Sequence, residues 1–453
     1  MTVLSHHADL PEPPTGDAPR AEVAPTLEGA VPRTLGLWDQ VGLWGNLGVS
    51  LLGFTGAVFV LSPGGDGAPA LAPVAALAAV VVGTLLGTAA LSASAVPGAR
   101  TGAPAMVLLR GLFGARLSAL PTILNIVQCV GWGTFELVTI ATAAHTVAGD
   151  VPRWVFVVVA GAVTTGLALR PLGSVRLLRR YVTVLVVVAL AYLAVQLLRH
   201  PLPPLTRGSW HGFWAATDSV VAVAVSFVPL ASDYSRHATS VRTAFWGSYL
   251  GYGMTQVACY GLGLVALLTV ARSGDDIYGA FIAVPLGALA FGVLALRELD
   301  QSFANVYSTA VSVQNLRPRW DRRVLALAIG AVTTVLALVL DVAQYQNFLY
   351  LLGSVFVPLF AVLIVDFLAR RGVWDTSADA PARPLMLLPW AAGFVVYQLV
   401  NPGYLAGWSG AWTDLRQTLG FTPPGWASAS LWAFAVAALG TAAVVAGTRR
   451  RAR

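Results

Sequence analysis

The chain contains no lysine, two cysteines and few charges of any kind: Asp, Glu and Arg together make up 11% of its 453 residues. Soluble domains carry about 25% charged residues, so a water-facing surface is excluded. The apolar content of 57% and the mean hydropathy of +0.72 point to a bilayer. Cys129 and Cys259 both lie inside apolar runs, which argues for packing and against a disulfide framework or a metal cluster. No HExxH, GxSxG or Cys/His cluster occurs, and the histidines fall in the tail, in loops or at a helix end. A membrane-embedded enzyme is therefore not indicated. The 28 basic residues, all arginine, outnumber 21 acidic ones for a net charge of +7. They sit in short gaps between apolar runs rather than in a patch, as topology signals do, and nucleic acid is not an expected partner.

Apolar runs of about 20 residues, the length of a bilayer-crossing helix, occur twelve times. They cover approximately 35–61, 70–96, 118–147, 152–170, 180–198, 212–232, 243–271, 278–313, 322–340, 345–367, 384–403 and 428–447. The run 278–313 is long for one crossing and predicts helix beyond the membrane or a strong tilt. With both termini placed inside, 22 arginines fall in the inner gaps and 5 in the outer ones, while Arg297 lies within a run. This asymmetry fits an even number of crossings and predicts a multi-pass cell-membrane protein with cytoplasmic termini. Residues 1–34, rich in Pro, Ala and acidic groups, read as a disordered tail. The first apolar run follows that polar tail and is too long for a cleavable signal. The arginines of the basic terminus 448–453 read as a topology signal.

Helix-breaking residues persist in a span only where protein or a water-filled cavity satisfies the freed backbone. Span one carries Gly42, Gly45, Gly48, Gly53 and Gly56 with Asn46 and Ser50 among them; span six carries Ser226, Pro229 and Ser232. Interrupted helices five spans apart point to an inverted-repeat transporter with its site near the midplane. The same glycines would also serve close helix packing, and the sequence leaves both readings open.

In span three, Asn125, Gln128, Trp132 and Glu136 share one helical face. An ionisable group at that depth is a functional hypothesis by default. Trp132 offers a flat surface and a ring N–H suited to stacking on a planar solute; Glu136, one turn on, can accept paired N–H donors or carry a proton. A packing Trp132 beside a Glu136 paired with a base is the plainer alternative. In span eight, Arg297, Gln301 and Asn305 recur at i, i+4 and i+8, with Glu298 and Asp300 between them. These charges must face protein, water or one another, and a structural pairing of Arg297 with Glu298 or Asp300 is equally open. Asp218, Asp233, Asp341 and Asp366 lie nearer span ends and are expected to cap helices or pair with loop arginines. His145 is expected at the interface.

Taken together the chain resembles the nucleobase-cation-symport-1 family, the purine and cytosine permeases. The resemblance is carried by Leu37-Trp38-Asp39 through Gly53, by the loop from Arg100-Thr101-Gly102 to Gly114, and by Asn125 through Trp132. Ala231-Ser232-Asp233-Tyr234-Ser235-Arg236 and Ala304-Asn305-Val306-Tyr307-Ser308 complete it. It spans helices one to eight, the later third agreeing in hydropathy alone. It implies an all-α integral membrane fold of twelve transmembrane helices with a LeuT-like core. In that core 35–198 and 212–367 form two inverted five-helix repeats with helices one and six broken, and 384–447 supplies the last two helices. In the family a base stacks between aromatics of helices three and six, and amides of helices three and eight bond its edge. By that resemblance Trp132 and Phe227 are the stacking pair. Glu136 stands where fungal members carry an amide, and Gln301 and Asn305 match the helix-eight amides. Ser50 in span one joins the candidate contacts.

Two departures shape the functional expectation. Sodium-coupled members share a hydroxyl pair about five residues before the first helix-eight amide, and that register here holds Ala295 and Leu296. Arg297 beside it brings a permanent charge able to stand in for a cation. The expectation is a secondary active transporter importing a purine or cytosine-type base by alternating access, without a cofactor. It is driven by protons rather than sodium, or is a facilitator, with Glu136, Glu298 or Asp300 as the titrating group. The second departure is Glu136 itself, whose carboxylate accepts but does not donate unless protonated. That favours ligands with adjacent donors, such as guanine or protonated cytosine, over uracil. Alternative cargoes are the hydroxymethylpyrimidine moiety of thiamine, a vitamin B6 compound, or allantoin and hydantoins. A channel would not require stacking aromatics facing an amide-lined site. The expected partners are the small solute and the lipid bilayer; the oligomeric state is left open, a monomer being compatible.

Overall fold

The computed structural model describes residues 25–26, 31–63, 70–271, 277–340 and 345–451, without the side chains of 173–183, Asp300, Gln346 and 449–451. Most of the expected tail, Asp341, the Asp300 carboxylate and the terminal arginine side chains therefore lie outside the described residues.

The fold is all helical among the described residues, apart from two isolated backbone bridges, Leu35 with Ala238 and Leu71 with Ser209. Helices α1 (Leu37–Gly48) and α2 (Leu51–Leu61) are followed by α3 (Pro73–Thr101), the short α4 (Ala105–Phe113) and α5 (Ala119–Ala148). Next come α6 (Arg153–Leu169), α7 (Pro171–Leu197), α8 (Phe213–Val225), α9 (Val228–Ser235) and α10 (Val241–Thr269). The chain continues through α11 (Ile277–Ala283), α12 (Gly287–Arg297), α13 (Leu299–Leu316), α14 (Arg322–Val339) and α15 (Tyr345–Ala369). It ends with α16 (Leu387–Val400), α17 (Trp408–Thr418) and α18 (Ala429–Arg451). Among the described residues seven spans are long and apolar enough to cross a membrane unaided, and α1 with α2 makes an eighth if that bent pair is one crossing.

The run expected as one span at 278–313 is three helices. Pro285 cannot donate a backbone hydrogen bond, and Leu286 turns to a φ of +50°, so the chain leaves α11 and restarts at Gly287. A second discontinuity at Glu298 separates α12 from α13. Two helices lie outside the predicted spans: α4, and α17, which buries none of its residues.

The two expected interruptions differ from each other. Helices α1 and α2 meet at 58°, with Val49 and Ser50 extended between them. Between α8 and α9, Ser226 and Phe227 keep right-handed helical angles, and Phe213–Ser235 runs on as one apolar span. The break there is in hydrogen bonding rather than direction, because Pro229 has no N–H to give the turn before it.

In lipid, helix association depends on close packing rather than on hydrophobic burial, and the span-one glycines supply it. A Cβ on Gly48 would lie 2.9 Å from the Tyr252 carbonyl oxygen, and one on Gly56 2.7 Å from the Tyr260 hydroxyl. The glycines thus seat α1 and α2 on α10, while the bend itself falls at Val49 and Ser50. The close-packing reading holds for this span, alongside the bend. Valines and leucines of α7, among them Val184, Leu185 and Val188, are exposed on the outer face, while Gln40, Asn125, Gln128, Glu136, Arg297 and Glu298 are buried.

Candidate functional site

The bend in span one frees backbone groups that need partners, and α12 and α13 provide them. The Gln301 amide nitrogen donates to the carbonyl of Leu47 and, at 3.4 Å, to that of Val49. On the other side of the bend the Glu298 carboxylate accepts the N–H of Leu51, the first residue of α2, and Ser50 Oγ accepts the N–H of Leu52 at 3.1 Å. A carboxylate at a helix N-terminus also complements the helix dipole. Arg297, buried with Glu298, lies 3.7 Å from its second oxygen. None of the three guanidinium nitrogens has a hydrogen-bond partner among the described residues.

Span six is supported from α5. Leu230 N donates to Phe227 O, so the Ser226 carbonyl is released from the helix and accepts Gln128 Nε2 at 3.0 Å. Asn125, one turn before Gln128, donates to Ser312 Oγ at 2.8 Å and ties α5 to α13. The polar face of span three therefore divides by depth. Asn125 and Gln128 hold helices together, while Trp132 and Glu136 face a cavity.

That cavity is narrow, with room for about one water. Trp132 forms one wall, packed edge-to-face on Tyr345 (5.8 Å) and Phe348 (5.4 Å) of α15, and its ring N–H has no partner among the described residues. Phe227 forms another, braced by Tyr252 (5.2 Å) and the edge of Trp44 (6.5 Å). Gly48, Ser50 and Gly53 contribute the bend of span one, and Glu136 and Gln301 contribute polar wall. Glu136 Oε2 accepts Asn305 Nδ2 at 3.0 Å, and the same nitrogen lies 3.2 Å from Gln301 O.

Of the predicted contacts, Trp132, Glu136, Phe227, Gln301 and Ser50 come together on this wall, whereas Asn305 stands behind Glu136 and orients it. Among the coupling candidates whose side chains are described, Glu136 lines the cavity, and Arg297 and Glu298 sit at the bend. The sequence reading missed the α10 wall, formed by Tyr252, Gln256, Cys259 and Tyr260, and Tyr345 of α15. The signal was present as a lone amide, Gln256, in an apolar span, flanked at −4, +3 and +4 by residues of the same face. Cys259, read as packing, is a buried free thiol on that wall, and Cys129 is buried in the core.

The carboxylates at span ends take structural partners. Asp218 accepts Ser428 Oγ at 2.6 Å and Ala429 N at 2.7 Å, capping α18; Asp233 accepts Ala105 N at 2.8 Å, at the start of α4. Asp366 accepts Arg383 at 2.6 Å and 2.9 Å and Trp374 Nε1 at 2.9 Å. His145 lies at the exposed end of α5, with Nδ1 3.0 Å from Val151 O.

A family model described as "Permease for cytosine/purines, uracil, thiamine, allantoin" matches residues 43–382. The chain belongs to the nucleobase-cation-symport-1 family. It is a multi-pass secondary transporter, not an enzyme. It is 27% identical over 332 residues to the putative purine-cytosine permease YxlA of Bacillus subtilis (strain 168), covering 67% of this chain and 70% of that one. Among solved structures it resembles Mhp1, a nucleobase-cation-symport-1 family transporter, in a closed conformation with bromovinylhydantoin bound. That match has a TM-score of 0.72 at 16% identity over 92% of this chain and 94% of the other. Inward-facing Mhp1 gives 0.70 at 15% over 96% of each chain. A Na+-coupled sialic acid symporter gives 0.59 at 11% over 92% of each. The transporter therefore has a LeuT-like fold. Because that fold also carries a sugar acid, substrate and coupling must be argued from the site.

The resemblance motif after span six proves to be a cross-link. Ser232 and Ser235 donate to the carbonyls of Ser94 (2.9 Å) and Ala95 (2.6 Å) of α3, and the Tyr234 hydroxyl donates to Ala304 O of α13 at 3.0 Å.

Proposed function

We propose that this transporter imports a planar nitrogen heterocycle of the purine or cytosine type by alternating access, coupled to protons rather than sodium. The observation that carries the reading is a single cavity walled by two aromatic rings from different helices, Trp132 and Phe227, with the Glu136 carboxylate beside them. A flat solute between such rings gains contacts on both faces, and the carboxylate accepts paired N–H donors at its edge. The cavity admits about one water, so the solute is accommodated as the rings part.

Proton coupling is supported by what occupies the bend of span one. Its carbonyls at Leu47 and Val49 accept from Gln301, and a fixed guanidinium, Arg297, lies beside Glu298. Amide and guanidinium groups there take up the role an alkali cation would otherwise have. Glu136, on the wall itself, is the group that can exchange a proton with the cavity. The reading includes twelve crossings, two inverted repeats at 35–198 and 212–367, two last helices at 384–447, and cytoplasmic termini. The arginine asymmetry supports that orientation.

The test is ligand-dependent thermal stabilisation of the purified protein across cytosine, guanine, adenine, uracil, hydroxymethylpyrimidine, pyridoxine, allantoin and hydantoin. A bound ligand at 100 times its Kd raises stability by about 2.7 kcal/mol. Stabilisation by aminated bases that disappears in Trp132→Ala is expected. Stabilisation by hydantoins or vitamin precursors alone would move the cargo to that class, and stabilisation by none of the panel would contradict the reading.

A further inference from the structure

Gln256 is buried in the middle of α10, with 2% of its surface exposed. Its amide nitrogen donates to Val220 O of α8 at 2.9 Å. That bond fixes which end of the amide faces inward, because the opposite flip would set two carbonyl oxygens against each other. The remaining group, Oε1, has no hydrogen-bond partner among the described residues, and Gln256 lines the same cavity as Trp132, Phe227 and Glu136. Within a bilayer an unpaired carbonyl oxygen is costly to maintain, and the cavity is the place from which a donor can reach it.

We propose that Gln256 is a recognition residue for the transported heterocycle, its carbonyl oxygen accepting an N–H or amino donor other than the one taken by Glu136. The inference rests on the heterocycle reading above and sharpens it. The preferred ligand is one with donors for two acceptors on different helices, Glu136 on α5 and Gln256 on α10. A ligand with a methyl group in place of the second donor leaves the Gln256 oxygen unpaired and is rejected.

The experiment measures dissociation constants for the best base of the panel and for its singly N-methylated analogues, in wild type, Gln256→Met and Gln256→Glu. In wild type, one methyl position besides the one facing Glu136 is expected to weaken binding about tenfold or more, as loss of a buried hydrogen bond does. In Gln256→Met, an unbranched side chain without a comparable acceptor, the ratio of parent to that analogue falls toward one. Gln256→Glu, whose carboxyl in its protonated form donates an O–H to Val220 O and keeps a carbonyl oxygen toward the cavity, retains the ratio, which gives a reading should the methionine variant fail to fold. An unchanged ratio in Gln256→Met, or its collapse in Gln256→Glu, overturns the assignment. Wild type that binds none of the bases overturns the heterocycle reading instead, so the two failures are distinct.

Discussion

Asn305 of α13 donates its side-chain N–H to the carboxylate of Glu136 on α5, 3.0 Å away, and by doing so orients the acidic side chain that the described cavity wall presents. Glu136→Gln removes the carboxylate acceptor and adds a donor, so affinity should shift from ligands with adjacent donors toward those with a donor next to an acceptor. Asn305→Leu, which replaces no wall residue, should weaken all aminated ligands about tenfold by releasing the carboxylate. Dissociation constants for guanine, cytosine and uracil in the two variants check this. The same ranking in wild type and Glu136→Gln would remove Glu136 from recognition.

The pair at the bend gives a non-additive prediction. Breaking a buried ion pair by removing one partner costs about 3–5 kcal/mol, whereas replacing both is often neutral. Glu298→Gln keeps an acceptor for Leu51 N but leaves Arg297 without its anion, and should lower the melting temperature markedly. Arg297→Met combined with Glu298→Gln should recover most of that loss, a coupling readable from the four melting temperatures. Additive losses would mean that the two side chains do not share a charge balance.

Much of this was legible in the sequence because the signals were local. Trp132 and Glu136 are one helical turn apart, and a carboxylate in an apolar run is conspicuous. The helix-one bend followed from Gly and Ser in an otherwise apolar stretch, whereas Phe227 came only from the family resemblance. Contacts between distant residues were not legible. Glu298 reaches a backbone N–H 247 positions earlier, and Gln301, expected on the ligand, also binds the carbonyls of the bend. Asn305 was expected on the ligand as well, and helical spacing alone does not reveal that Glu136 stands in front of it. Gln256 went unread because a single amide in an apolar helix has no pattern until its neighbours across the cavity are known. The first break within 277–316 depends on Pro285 and the left-handed Leu286, which hydropathy does not register.

Asp218 couples the core to the last helix. It accepts the hydroxyl of Ser428 and the N–H groups of Ala429 and Ser430, the latter at 3.3 Å, and so caps α18. Asp218→Ala should destabilise the docking of α18 by about 1–2 kcal/mol, as removal of a good cap does. Faster hydrogen exchange confined to the first turn of α18 is the expected readout; exchange spread evenly over all helices would argue against a local cap.

His237 ties the segment before α1 to the end of span six. Its Nδ1 lies 2.8 Å from Pro32 O, its Nε2 accepts Arg236 Nε at 3.2 Å, and Leu35 N donates to His237 O at 2.9 Å. Burial, and then the Arg236 charge, push its pKa down to about 3, against the opposing pull of the Pro32 carbonyl. The unfolded value is about 6.5. The stabilisation is thus fully present above about pH 6.5 and is lost progressively as the pH falls toward 3, on the order of 2 kcal/mol by pH 4.5. Hydrogen-exchange protection factors over 31–36, taken relative to the intrinsic rate at each pH, should fall on acidification in wild type and lose that pH dependence in His237→Asn.

Uptake of labelled cytosine or guanine into proteoliposomes, under separately imposed proton and sodium gradients, distinguishes a proton-coupled transporter of a stacked heterocycle from a sodium-coupled one. Saturable uptake that follows the proton gradient, ignores sodium at constant pH and membrane potential, and is lost in Trp132→Ala is the predicted result. Uptake that rises with sodium at constant pH and membrane potential would contradict it.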